Sequence, residues 1–341
     1  MEKKNLDWGN IGFGYMATDY RYVSNYKDGA WDEGALVEDP MITMSESAGV
    51  LQYAQTVFEG LKVYTQESGK VVAFRPDLNA ERMIESAKRL EMPTFPKERF
   101  IDAVEKVAKA NYAYIPPYGS GATLYLRPFM FGSGPVIGVK PSDEYQFRLF
   151  CTPVGPYYKG GVNPIKLMVP DFDRAAPHGT GDVKAGLNYA MSLHASVVAH
   201  AAGFDENLFP DAATRKNVEE SGGANIIFIK DNKLVTPKSN SILPSITKRS
   251  IIHVATEYLG MEVEERVIPF EEIPEFEEAG LCGTAAVISP VGLIVDHGKE
   301  YKIPSGMTEV GPKIKALYET LVGIQQGTVE APEGWIHVIE E

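Results

Sequence analysis

Residues 179–189 read Gly-Thr-Gly-Asp-Val-Lys-Ala-Gly-Leu-Asn-Tyr, and the rest of the chain is best read outward from them. They seat one lysine, Lys184, among small residues, with glycines at 179, 181 and 186. Glycine accepts torsions that other residues avoid and lets a ligand approach the backbone. A lysine held in such a loop and partly desolvated can have the lowered pKa that Schiff-base chemistry requires. Most lysines are solvated surface residues, so spacing alone leaves both readings of Lys184 open.

Upstream of this stretch the chain reads as strands and hairpins with two helices. Leu61 to Tyr64 and Val71 to Phe74 are β-rich runs around Ser68-Gly69, a hairpin signal. Met83, Ile84, Ala87 and Leu90 recur at helical spacing, as do Phe100, Val104, Val107 and Ala108 after Pro96. Thr123 to Phe131 and Tyr145 to Val154 return to strand character. The turn-rich run Gly155-Pro156-Tyr157-Tyr158-Lys159-Gly160-Gly161 then marks a boundary near the chain midpoint. Downstream, Ile165 to Val169 reads as a strand and Ser192 to Ala202 as a helix closed by Gly203. Ala224 to Ile229 and Leu234 to Thr236 flank Asp231-Asn232 as a hairpin, and Ile246 to Leu259 forms a helix ended by Gly260. Ala285 to Ile288 and Gly292 to Val295 read as two buried strands, and Pro312 opens a helix that Gly327 ends. The expected architecture is a two-domain α/β (α+β) fold: residues 1–155 as a smaller N-terminal α/β domain, 156–164 as an interdomain linker and 165–341 as a larger C-terminal domain.

A length of 341 residues agrees, since domains run to about 150 residues. Hydrophobic residues make up 44% and charged residues 23%, enough apolar material for substantial cores. The formal charge of −13 argues against binding a nucleic-acid backbone or a membrane through a polybasic anchor. Cys151 and Cys282 lie far apart, so no disulfide framework or CxxC pattern can be written and a reducing, cytoplasmic setting is expected. Met1 to Trp8 is charged and has no signal-peptide core, and the longest nearly apolar run, Ala285 to Val295, is far short of the roughly 20 residues of a membrane helix. No GxxxxGK[ST], HExxH, GxSxG or EF-hand pattern occurs. Gly9, Gly12 and Gly14 precede the first strong strand, so they make no dinucleotide fingerprint. The six histidines are scattered, and no metal site is expected.

With these residues in view, the sequence resembles the branched-chain amino-acid aminotransferases of the pyridoxal-phosphate fold type IV (class IV, D-amino-acid-aminotransferase-like) group. Its pieces come in family order: Phe13-Gly14 with Thr18-Asp19; Tyr53 to Gly60 (YAQTVFEG); Phe74-Arg75-Pro76 with Asn79 and Arg82; Leu124 to Pro128 (LYLRP); Pro153-Val154-Gly155; Asp182 to Tyr189; Glu220 to Asn225 (ESGGAN); and Gly283-Thr284-Ala285.

The resemblance implies pyridoxal 5'-phosphate as cofactor, bound between the two domains. Lys184 is then the Schiff-base lysine and proton carrier, and Glu220 the carboxylate paired with the pyridine nitrogen. Tyr189 would bond the phenolic oxygen, with Arg75, the N–H groups of Ile246 and Thr247 after Ser245, and Thr284 on the phosphate. Phe13, Tyr53 and Tyr125 would form an aromatic pocket for an aliphatic side chain. Arg127, two residues from Tyr125 on a strand and so on the same face, would engage the distal carboxylate of glutamate. Thr284 and Ala285 would form the turn that binds the α-carboxylate. The implied reaction is ping-pong amino transfer between L-leucine, L-isoleucine or L-valine and 2-oxoglutarate by a homodimer. The same fold also serves D-amino-acid aminotransferases and aminodeoxychorismate lyases, and a silent ligand-binding homologue is a third reading. Tyr125-Leu126-Arg127-Pro128 and the aromatic set favour the branched-chain reading over the first two. Having Lys184, Tyr189, Glu220 and Arg75 all present argues against the third. Animal relatives carry a redox CxxC after the Gly-Thr-Ala turn; here Ala286-Val287-Ile288-Ser289 stands in that place, and Cys282 is expected to be a small buried residue.

Overall fold

Two β-rich runs on either side of Ser68-Gly69 need a tight reversal, and a glycine supplies the positive φ it requires. The computed structural model, which describes residues 3–155 and 163–340, has that hairpin: Leu61–Thr65 pairs antiparallel with Val71–Phe74, with Gly69 at φ +88°. The hairpin belongs to a nine-stranded sheet. Thr123–Gly132 pairs with Leu61–Thr65 on one side and along its whole length with Tyr145–Val154 on the other, and Arg21–Lys27 follows. At the opposite edge lies Ile336–Glu340, brought from the far end of the chain to pair with Val71–Phe74. Helices Pro76–Arg89 and Lys97–Ala110 bury Met83, Ala87, Phe100, Val104 and Val107 in one core with Val63, Leu124, Leu126 and Phe147 of this sheet.

The second sheet also has nine strands, but mixes directions. Parallel neighbours need a crossover, and helices supply it. Gly186–Ala201 lies in sequence between the parallel strands Ile165–Met168 and Glu206–Pro210, and Ile246–His253 between Lys233–Pro237 and Glu262–Arg266. Pairing of Glu220 with Asn225 joins Val218–Ser221 to Asn225–Lys230 and closes six strands into a ring. Inside this unit Leu208, Ile226, Phe228, Leu281 and Ile294 form a core. Asp231 and Asn232 both have positive φ, as a two-residue hairpin turn demands.

Three expectations change. The helix expected from Ser192 starts at Gly186, where Asn188 Nδ2 donates to Thr180 O at 2.7 Å and fixes the entry. The helix expected over 246–259 is α-helical only to His253 and continues as a π-helical turn, Val254–Tyr258. The two strands expected at 285–288 and 292–295 are one, Val287–Asp296, and Ala285 lies in the preceding turn. Partners on both sides keep that strand continuous through Pro290, and a register shift between Val291 and Leu293 absorbs Gly292.

The chain forms two units, one of Met1–Tyr157, Val183–Leu187 and Ile324–Glu341, the other of Tyr158–Asp182 and Asn188–Gly323. These differ from the ranges 1–155 and 165–341 at two places. Ala185 bridges to Val57, and the C-terminal residues supply an edge strand, so both segments join the first unit. Of the expected linker 156–164, residues 156–162 lie outside the described residues. Among the described residues, no helix is long and apolar enough to cross a membrane.

Candidate active site

Lys184 sits in the short segment that the first unit captures. Phe58 N–H donates to Lys184 O at 3.0 Å, and Lys184 N–H donates to Ser86 Oγ at 3.1 Å on the helix Pro76–Arg89. Its amine lies 4.8 Å from the centre of the Phe58 ring. Burial, and then the positive charge of Arg82, lower its pKa from 10.5 to about 8, with Glu59 acting in the opposite sense. A charged amine is costly in such a place, so this lysine gives up its proton more readily than an exposed one.

Arg82 is itself held by a carboxylate with no solvent exposure. Its Nε and Nη2 reach Glu59 Oε1 and Oε2, each at 2.7 Å, and Asn79 Nδ2 donates to Glu59 Oε2 at 2.7 Å. The fork geometry is bidentate, the strong form of this pairing.

The strand Thr123–Gly132 presents Tyr125 and Arg127 on one face, as the two-residue period requires. Arg127 Nη2 donates to the Tyr125 hydroxyl at 3.2 Å, and the guanidinium lies 5.0 Å from the Phe58 ring. Arg127 Nε is buried without a hydrogen-bond partner, an unmet donor beside the aromatic rings. Phe13 meets Tyr125 edge-on with ring centres 5.4 Å apart. Gly60 keeps this corner open: a Cβ there would lie 2.0 Å from the Tyr125 hydroxyl oxygen. Lys184, Phe58, Arg127, Tyr125 and Phe13 thus form one connected group. Tyr53 ends the helix Gly49–Tyr53, is 43% exposed and donates its hydroxyl to Ile137 O. Arg75 stands immediately before the helix Pro76–Arg89 at φ +47°, its N–H bonded to Trp335 O at 2.9 Å and its guanidinium 4.3 Å above the Trp335 ring.

In the second unit Glu220 is 3% exposed at the end of Val218–Ser221. Its Oε1 accepts the Leu243 N–H and faces Arg174 Nη2, both at 2.8 Å, and its Oε2 accepts from Asn225 Nδ2 at 2.8 Å. Burial still pushes its carboxyl up to about 7, against the pull of Arg174. Glu219 accepts instead from the Ser239 hydroxyl at 2.6 Å. Ser245 Oγ accepts the Lys248 N–H at 3.1 Å, which leaves the Ile246 and Thr247 N–H groups at the helix start without an intrahelical partner. Thr284 and Ala285 lie in the turn between Glu278–Gly283 and Val287–Asp296. The turn ends at Val287, a β-branched residue at φ +66°, strain of the kind that collects at functional sites. Tyr189 is half-buried in the first turn of Gly186–Ala201.

Four of these residues had no assigned role in the sequence. Phe58, Glu59 and Arg82 lie inside recognised motifs, so the motif was the signal and the contact was missing. Arg174 lies in no motif, and nothing in the sequence marks it. Among the described residues, no group of three His, Cys, Asp or Glu side chains could hold a metal ion. Cys151 and Cys282 are both buried, with thiols pushed up to about 12 by burial.

A desolvated lysine and an arginine in the first unit, and a buried carboxylate with lone-pair capacity left on Oε2 and a helix start in the second, are groups of the chemical kind that could hold a pyridoxal phosphate. Residues 56–294 match the model of amino-transferase class IV, so the chain is a class IV aminotransferase. The branched-chain-amino-acid aminotransferase of Haemophilus influenzae is 51% identical over 343 residues, covering 99% of this chain and 100% of that protein. The crystal structure of the Escherichia coli branched-chain amino acid aminotransferase superposes with a TM-score of 0.81 at 28% identity, covering 95% of this chain and 100% of that one. The branched-chain amino acid aminotransferase of T.th., complexed with N-(5'-phosphopyridoxyl)-L-glutamate, has a TM-score of 0.78 at 25% identity, covering 96% and 100%. The chain belongs to the branched-chain-amino-acid aminotransferases, with their fold type IV architecture.

Proposed function

We propose that this enzyme transfers the amino group between L-leucine, L-isoleucine or L-valine and 2-oxoglutarate, in a ping-pong cycle that uses pyridoxal 5'-phosphate held as a Schiff base on Lys184. The observation that carries the reading is the lysine itself, which the fold presses toward its neutral form at about 8. Bound pyridoxal phosphate supplies a carbonyl that takes the amino group and a ring that draws electrons from Cα. The chain's own residues supply the rest. Lys184, once displaced by the substrate amine, carries the proton to and from Cα. Glu220 takes the pyridine nitrogen, Tyr189 the phenolic oxygen, and Arg75, Thr284 and the N–H groups of Ile246 and Thr247 the phosphate.

Phe13, Tyr53, Tyr125 and Phe58 give an aliphatic side chain an apolar surface, and the unmet Arg127 Nε gives the glutamate carboxylate a donor. The ligand of the T.th. relative joins a phosphopyridoxyl group to L-glutamate, which supports both the cofactor and an acidic co-substrate. Thr284 and Ala285 would take the α-carboxylate. We also propose a homodimer acting in the cytoplasm. Tyr53, Leu51, Met41, Ile137 and Val139 are large apolar residues left exposed in the chain alone, as a protein interface would leave them.

The test is the visible spectrum of the purified enzyme with added L-leucine, and with D-alanine in a parallel cuvette. The cofactor band should bleach with L-leucine and not with D-alanine. Bleaching by D-alanine alone would move the protein to the D-amino-acid branch of the fold. No band after incubation with pyridoxal phosphate would overturn the role of Lys184.

A further inference from the structure

Arg174 lies in the second unit, 5% exposed. Its Nη2 faces Glu220 Oε1 at 2.8 Å, donates to Gly181 O at 2.7 Å and also donates to Ser241 O. The two N–H groups of this nitrogen are taken by the two carbonyl oxygens, and the Glu220 contact is an ion pair. The arrangement is close-packed: a Cβ on Gly181 would stand 2.8 Å from Arg174 Nη2 and 2.1 Å from Ser241 O. A buried guanidinium joined to one buried carboxylate is a costly arrangement to keep unless the charge does something.

Resting on the reading that Glu220 meets the pyridine nitrogen of the cofactor, we infer that Arg174 is a positioning residue that acts through Glu220 to keep the proton of that contact on the nitrogen. A proton shared by a ring nitrogen and a carboxylate resides on the stronger base. Burial alone makes Glu220 a strong base for a carboxylate, and Arg174 is the largest influence in the opposite direction, because its charge stabilises the anion. Glu219, the adjacent acid, adds to the basicity of Glu220; Lys248 subtracts from it. The buried Cys282 thiol stays neutral, and the remaining contacts, Leu243 N–H and Asn225 Nδ2, are uncharged donors. Arg174 and Leu243 both occupy Oε1, so the oxygen with capacity to spare is Oε2. The guanidinium also repels a proton on the nitrogen. Its direct contact is with the carboxylate, however, and charge interactions weaken with distance, so the effect on the carboxylate prevails. Without the guanidinium the carboxyl keeps the proton and the ring loses its electron-withdrawing charge.

The experiment loads the enzyme with pyridoxal phosphate labelled with ¹⁵N in the ring and reads the nitrogen chemical shift between pH 6 and 9. The wild type, Arg174→Gln, Arg174→Lys and Glu220→Gln are compared. The wild type and Arg174→Lys should show a protonated nitrogen at pH 7, and Arg174→Gln an unprotonated one. In Arg174→Gln kcat should fall about 10-fold while KM for L-leucine stays within about 2-fold, the split expected when the reacting state rather than binding is affected. Arg174→Met carries the same expectation should the glutamine variant not fold. A protonated nitrogen in Arg174→Gln, with Glu220→Gln shifted, would overturn the inference and leave the role of Glu220 standing. An unshifted signal in Glu220→Gln would overturn the reading beneath it. Equal loss of protonation in Arg174→Lys and Arg174→Gln would show that shape, not charge, matters, and would also overturn the inference.

Discussion

Burial moves Lys184 in the first unit and Glu220 in the second toward their neutral forms, to about 8 and about 7, but the charges around them work in opposite senses. Next to Lys184 the leading charge is Arg82, which adds to burial, while the carboxylate that opposes it, Glu59, is taken up by that same arginine. Next to Glu220 the leading charge is Arg174, which opposes burial. The leading charge beside the lysine works against its proton, and the leading charge beside the acid supports its anion. That contrast suits the roles proposed for them, a lysine that must be free of its proton and a carboxylate that must be able to shed one.

The hardest test of that difference is removal of each group. Lys184→Ala should lower kcat for L-leucine by about 10³-fold or more with the cofactor still bound, whereas Glu220→Gln, which keeps a hydrogen-bonding side chain, should cost about 10²-fold. A steady-state assay of both variants checks the order, and near-normal turnover in Lys184→Ala would end the comparison. Next in size is Glu59→Gln. It leaves the Arg82 charge buried without its counter-charge, which should cost about 3–5 kcal/mol in a urea unfolding curve, and a variant as stable as the wild type would show that the pair is not structural. Gly60→Ala forces a methyl group onto the Tyr125 hydroxyl and should cost about 1–3 kcal/mol of stability in a urea unfolding curve, with a raised KM for L-leucine as the displaced ring alters the pocket. The smallest effect is a shift along the pH axis. In cofactor-free enzyme, acylation of Lys184 followed by mass spectrometry should rise as pH passes about 8, since only the neutral amine reacts. Arg82→Met should move that midpoint upward. The lysine's folded pKa lies below its ordinary 10.5, so the unfolded chain binds more protons between about 8 and 10.5, and this group's contribution to stability increases with pH across that window.

Much of the scaffold was readable because local rules decide it. The strand over 145–154 matches its expected ends, and the last helix begins at Pro312 and stops before Gly327 at φ +77°, where a proline start and a glycine stop place them. The strand Glu262–Arg266 was not readable, because four of its five residues are charged and its existence depends on parallel pairing with Lys233–Pro237. The π-helical turn at 254–258 was hidden for a related reason: the apolar spacing of a helix persists while the hydrogen bonds shift by one residue. At the site, strand periodicity alone put Tyr125 beside Arg127, and Lys184 stood out for its setting. The roles proposed for Glu220, Tyr189 and Arg75 came from ordered motifs, not from spacing. Arg174 came only from the structure, since an arginine in a turn-rich run has no pattern to betray its partner.

The edge strand Ile336–Glu340 has a consequence for how the chain is made. Residues 71–74 leave the ribosome long before their partner, and at about 5–20 residues per second the wait exceeds about 10 s. Throughout that interval the sheet edge next to Arg75 stays open, and the Trp335 indole that its guanidinium will rest on is not yet made. The first unit, begun first, is therefore finished last, and a stalled or shortened product would expose an unpaired strand to aggregation.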